Sequence, residues 1–171
     1  MKIYAFTLVA LAAALPAPAQ SMKEALVKHW QTTQEFTLAV ANAMPADSYN
    51  FKPVPAELSF GQLFVQVAGA NNNACALASG MPRPAVPAGI NPEDANVPKA
   101  KVMAFLTDSF AFCQKAVASM TPEKFDAVVG TSRKMTGYEW LWSYFTHTAH
   151  HRGQAEVYLR LKGIQPPTYV F

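Results

Sequence analysis

The 171-residue chain has no basic cluster, no glycine-rich phosphate loop, no C-x-x-C-H haem-attachment motif and no internal repeat. Cysteine is scarce, with two residues, and the net charge is only +3. Each absence removes a class of function. A chain without a basic stripe has nothing to track a phosphate backbone, so nucleic acid is not an expected partner. The missing glycine loop removes the usual cradle for nucleotide phosphates, and the missing haem motif removes covalent haem. There is one long apolar run, Ile3 to Leu15, and its thirteen residues are too few to span a bilayer.

That run belongs to a segment with the layout of a secretory signal. Lys2 supplies a charged start and Ala17-Pro18-Ala19 an A-x-A cleavage site, so residues 1–19 are expected to be removed. The mature chain, 20–171, then holds 13 basic and 11 acidic residues and has the length of one soluble domain with a sizeable core. The product is expected in the bacterial periplasm or outside the cell, with no membrane contact after cleavage.

Export changes the reading of Cys75 and Cys113, because an oxidising compartment favours pairing over free thiols. A disulfide is the expected state, two separate buried thiols the alternative. The loop closed by such a bridge contributes about 4 kcal/mol in the chain-entropy model.

Four helical stretches separated by proline-rich loops cover most of the mature chain. Helix one spans about 22–43, with Leu26, Trp30, Thr33, Thr37, Val40 and Met44 on one stripe. Helix two spans about 60–79, opened by a capping box of Ser59 and Gln62 and stopped by Gly80. Five prolines between 81 and 98 make a semi-rigid connector. Helix three spans 99–120, a loop covers 121–136, and helix four runs from about 137 to 162 with Gly163 just beyond it. No strand pattern competes with these helices. Cys75 and Cys113 each lie about 22 to 24 Å from the start of their helices, so a disulfide requires helices two and three to run parallel. The proline-rich segment is then the crossover of an all-α four-helix bundle.

Three of the four histidines, His147, His150 and His151, fall within five residues on helix four. Residues four apart share a helix face, so His147 and His151 can aim two imidazoles at one point, which is half a metal site. The stripe also holds Trp140, Tyr144, Ala155 and Tyr158, the tyrosines reading as core residues. His150 is rotated off it and suits packing or capping better than ligation. Arg152 and Arg160 read as partners in surface or loop-anchoring ion pairs, and His29 as structural or solvent-facing. Gln66 is a polar group on the helix-two stripe of Leu63, Ala70, Asn73 and Leu77, able to bond a histidine, a water or another amide, or to offer its carbonyl oxygen to a metal. Thr148 stands where a zincin requires glutamate, which argues against that class of metalloprotease.

Several segments together, His29-Trp30-Gln31-Thr32-Thr33, Met44-Pro45-Ala46, Tyr49-Asn50-Phe51-Lys52-Pro53, Ser59-Phe60-Gly61, His147 through Gln154 (HTAHHRGQ), Tyr158-Leu159-Arg160 and Pro166-Pro167, resemble exported members of the DinB-like superfamily of four-helix-bundle metalloenzymes. HHRGQ is the most specific of them. The resemblance covers nearly all of the mature chain. It implies an up-down-down-up bundle and a divalent zinc, nickel or iron ion held by one histidine of helix two and an HxxxH pair of helix four. His147 and His151 match the pair. The helix-two position holds Gln66 instead, whose amide oxygen is a harder and weaker donor.

Two functions follow. One is a metal-dependent hydrolase or thiol-type transferase acting on a small molecule, with the ion on His147, His151 and Gln66 or water. The alternative is a metal-free, non-catalytic bundle that binds a ligand or partner in the same cavity. The substrate, the ion and the oligomeric state, a homodimer included, stay open at this point.

Overall fold

The Ser59 hydroxyl accepts the Gln62 backbone N–H at 3.2 Å, and the Gln62 side chain accepts the Ser59 N–H at 2.9 Å, so the reciprocal capping box read from the sequence opens helix two. The computed structural model describes residues 22–170; the signal-like segment 1–19 lies outside them. Four long helices follow in order: α1 (Met22–Ala43), α2 (Phe60–Ser79), α3 (Lys99–Ala118) and, after a short α4 (Pro122–Asp126), α5 (Gly137–Leu161). Gly80 and Gly163 adopt φ of 75° and 73°, the left-handed turn that ends a helix where a Cβ would be strained.

Side-chain contacts fix the directions. Cys75 and Cys113 form a disulfide with Cα atoms 5.2 Å apart, near the ends of α2 and α3. Near the helix starts, Gly61 of α2 backs onto Val102 of α3. These two helices are therefore parallel, as the cysteine spacing requires. Lys99 Nζ, at the start of α3, donates to the carbonyls of Asn42 and Met44 at the end of α1 at 2.8 and 2.9 Å, while Lys23 Nζ reaches Met120 O at 2.8 Å, so α1 and α3 are antiparallel. Contacts Trp30–Phe145 and Thr37–Arg152 make α1 and α5 parallel. The bundle is up-down-down-up, with the long helices packed in the ring α1–α3–α2–α5.

The proline-rich crossover lies against α2 rather than hanging free. Gln62 Nε2 donates to Pro92 O at 3.0 Å and Ser59 Oγ to Ala95 O at 3.1 Å, and Ile90 and Val97 are buried. Inside, Phe60, Phe64, Leu106, Phe110, Leu141 and Leu159 are fully buried in one core.

Two local differences from the sequence reading stand out. The segment 121–136, expected to be a plain loop, contains α4 and a two-residue hairpin in which β1 (Val128–Val129) pairs antiparallel with β2 (Met135–Thr136). Strands of two residues have no period to detect. Pro122 sits at the first turn of α4 and Phe125 is its one buried residue, so α4 offers no repeat either. Helix three also ends at Ala118, two residues short of the expected end, with Met120 buried beyond it.

Candidate metal centre

Thr136 and Glu139 form a second reciprocal capping box, which fixes the first turn of α5 and with it the rotation of everything three and four residues on. Two turns later His147 and His151 converge. Their Nε2 atoms are 3.1 Å apart, and the rings meet edge to face with centroids at 4.4 Å. Two metal–nitrogen bonds of about 2.0–2.1 Å meeting at tetrahedral or right angles hold their nitrogens about 2.9–3.4 Å apart. The separation in the structure fits one cation between the two rings.

Both rings are biased toward the ligating form. Burial first, then the neighbouring His151 and His150, push the His147 pKa down to about 4. Burial also lowers that of His151, against an opposing hydrogen bond to Gln154. Neutral imidazole is what binds a metal. The bond to Gln154 is the more informative contact. His151 Nδ1–H donates to Gln154 Oε1 at 2.8 Å, which places the lone pair on Nε2 and locks the ring, as an outer partner does for a ligating histidine. Without a cation, the 3.1 Å contact uses His147 Nε2–H as donor. That tautomer leaves a bare lone pair on His147 Nδ1, a buried atom with no hydrogen-bond partner.

The facing helix supplies the rest of the wall. Asn73 Nδ2 donates to Tyr144 Oη at 3.5 Å, Thr148 Oγ1 to Asn71 Oδ1 at 3.2 Å, and Tyr158 Oη to Leu58 O at 3.1 Å. These contacts step down one helix as they step up the other. The antiparallel register puts Gln66 level with His151 and Ala70 level with His147. Gln66 is half-buried and makes no hydrogen bond to either ring. No cluster of three or more His, Cys, Asp or Glu suited to a metal occurs among the described residues, so the strong donors number two.

Other residues singled out by sequence divide clearly. His150 is exposed, its ring 5.1 Å from His151 and turned away from the α2 seam. Tyr144 is half-buried and packs its ring on His147 at 5.7 Å, while Tyr158 is a buried core residue. Arg160 makes a surface pair with Glu156 at 3.9 Å. Arg152 departs from the surface or loop-anchoring ion pair expected of it. It is buried, its guanidinium 4.5 Å over the Phe36 ring and donating to Thr37 Oγ1 at 3.3 Å. Thr148, Ala155 and Leu159, four, three and seven residues away, share its buried face, and that spacing was the available signal. Gln154 was missed as a site residue, although its i,i+3 spacing from His151 is ordinary helix geometry.

The fold has experimentally determined counterparts. A DinB-like protein from Bacillus cereus superposes with a TM-score of 0.71 at 16% identity, covering 86% of this chain and 97% of its own. One from Bacillus subtilis gives 0.67 at 20%, covering 85% and 96%. A conserved protein from Enterococcus faecalis gives 0.63 at 19%, covering 83% and 96%. No curated protein matches the chain. The sequence model of the DinB superfamily matches residues 29–155, a span that takes in most of α1, all of α2 and α3, and both converging histidines. The chain belongs to the DinB superfamily.

Proposed function

We propose that this is an exported, divalent-metal-dependent enzyme acting on a small molecule, with His147 and His151 as the protein's imidazole ligands and Gln66 or water completing a looser third position. The observation that carries the reading is the convergence of the two Nε2 atoms while Gln154 holds the His151 ring from behind. The residues fit a borderline cation such as zinc, nickel or iron, which imidazole nitrogen favours. When bound, the ion supplies a Lewis acid and acidifies a water or thiol brought against it. The chain's own part is to keep both imidazoles neutral near pH 7, to orient His151 through Gln154, and to present the Gln66 amide from the opposite helix. Hydrolysis suits an exported protein better than transfer that depends on a cytoplasmic thiol cofactor. The Cys75–Cys113 disulfide supports export, since such bridges persist in oxidising compartments.

A second reading rests on the weak third donor. With Gln66 in place of a stronger ligand, the pair can satisfy itself as a hydrogen bond, giving a metal-free bundle that binds a ligand non-catalytically. Elemental analysis of untagged protein from the exported fraction separates the two. Near-stoichiometric metal that disappears in His151→Ala supports the enzyme. Metal-free native protein that captures zinc only after Gln66→His supports the alternative. Metal retained by the double variant His147→Ala and His151→Ala refutes the site.

A further inference from the structure

Beside the histidine pair, a chain of contacts leads away along the α2–α5 seam. The Tyr144 ring packs edge-on against His147, and its hydroxyl accepts from Asn73 Nδ2. Asn73 Oδ1 in turn accepts from Arg83 Nη1 at 3.5 Å. Asn73 and Arg83 line one open cleft of about 370 Å³ at the end of α2, with Ala76, Leu77, Gly80 and Met81 as its other walls. Arg83 is the sole charged residue on that lining.

Arg83 is exposed, and three features bear on what its guanidinium can hold. It stands between Pro82 and Pro84, and proline both fixes its own φ and holds the preceding residue extended, so the backbone beneath the guanidinium is stiff. The segment just before it is anchored, since Met81 N–H donates to Ser79 Oγ at 3.2 Å. No carboxylate of the described residues lies within 4 Å of it, the one such pair there being Arg160 with Glu156. A guanidinium carries five donors in a planar fork that matches carboxylate and phosphate oxygens, and one bonded to a single neutral amide keeps most of those donors open. Ala76, Leu77 and Met81 give the cleft beside that fork apolar walls.

We infer that Arg83 recognises the anionic end of the substrate, which is therefore a small molecule bearing a carboxylate or phosphate group at one end and its reacting group at the other, with Asn73 and Tyr144 positioned between. Which end reacts rests on the function proposed above; the anion site itself does not. Arg83, Asn73, Tyr144 and His147 form one continuous run of contacts, so an anion held on Arg83 sits on the same seam as the imidazoles.

Calorimetric titration of untagged protein, metal-free and zinc-loaded, with succinate and with inorganic phosphate tests this. At least one anion is expected to bind, and the one that binds identifies the source chemistry. Arg83→Ala should weaken it about tenfold or more, the loss expected when a charged hydrogen-bonding partner is removed, whereas Arg83→Lys should recover part of the loss and Arg160→Ala should leave affinity unchanged. Zinc uptake should be the same in all three variants. If wild-type protein takes no zinc but still binds the anion through Arg83, the proposed metal chemistry fails and the anion site stands. Equal affinity in wild type and Arg83→Ala, or no binding of either anion up to about 10 mM, overturns the inference.

Discussion

Helix α2 has two long neighbours, and its two seams are built from opposite materials. Toward α3 it is tied by the Cys75–Cys113 disulfide within a core that also buries Phe60, Phe64, Leu106 and Phe110 completely. Toward α5 it presents Asn71, Asn73 and the half-buried Gln66 to Thr148, Tyr144 and the histidine pair. Two buried atoms of that polar seam, Asn71 Nδ2 and His147 Nδ1, have no hydrogen-bond partner. Leaving a buried polar atom unpaired costs about 1–3 kcal/mol. A bundle tolerates this where the neighbouring seam is strongly held, and the lesson is that the disulfide-tied α2–α3 side carries stability while the α2–α5 side holds the polar side chains around the histidine pair.

The largest expected effect tests the stabilising seam. Replacing both Cys75 and Cys113 with serine should lower the unfolding free energy by about 4 kcal/mol in a denaturant titration, with metal content of the folded protein unchanged. Metal loss well below the unfolding midpoint would show that the seams are one unit. On the other seam, Gln66→His should tighten zinc by about two orders of magnitude in a chelator competition, because the roughly 10–16 kcal/mol of a structural zinc site is shared among four ligands. Gln154→Ala should weaken zinc about 10- to 100-fold with little change in the denaturation midpoint.

Smaller effects follow from protons and caps. His147 has a folded pKa of about 4 against about 6.5 unfolded, so between these values the unfolded chain takes up a proton that the fold refuses. Stability of the metal-free protein is therefore complete above pH 6.5 and declines as pH falls toward 4. The half-buried ring is partly screened by solvent, so the decline should be about 1–2 kcal/mol, and His147→Asn should flatten the profile. Ser59→Ala removes the α2 cap and should cost about 1 kcal/mol without altering metal affinity, since Ser59 lies about 10 Å of helix rise from Gln66.

Much of this division was legible in the residues. The capping pair Ser59 and Gln62, the stop at Gly80 and the helix-rise argument from Cys75 and Cys113 are local or one-dimensional, and each reappears in the structure. His147 and His151 share a face for the same reason. What escaped detection depends on the packing of distant segments. The Tyr144–Asn73 contact needs the α2–α5 register, which no spacing within either helix contains. Arg152 was read as a partner in a surface or loop-anchoring ion pair because arginine usually solvates or pairs its charge, yet its neighbours at three, four and seven residues are buried. The hairpin at 128–136 is held by the Trp140 Nε1 hydrogen bond to Val129 O at 3.3 Å, a tertiary contact on strands too short to announce themselves.

X-ray absorption at the metal edge of zinc-loaded, untagged protein tests the central claim most directly. The predicted first shell contains two imidazole nitrogens at about 2.0–2.1 Å together with oxygen donors, and the imidazole scattering vanishes when His147 and His151 are both replaced by alanine. A shell of oxygens alone in the wild type, or an imidazole signal that survives the double replacement, would contradict it.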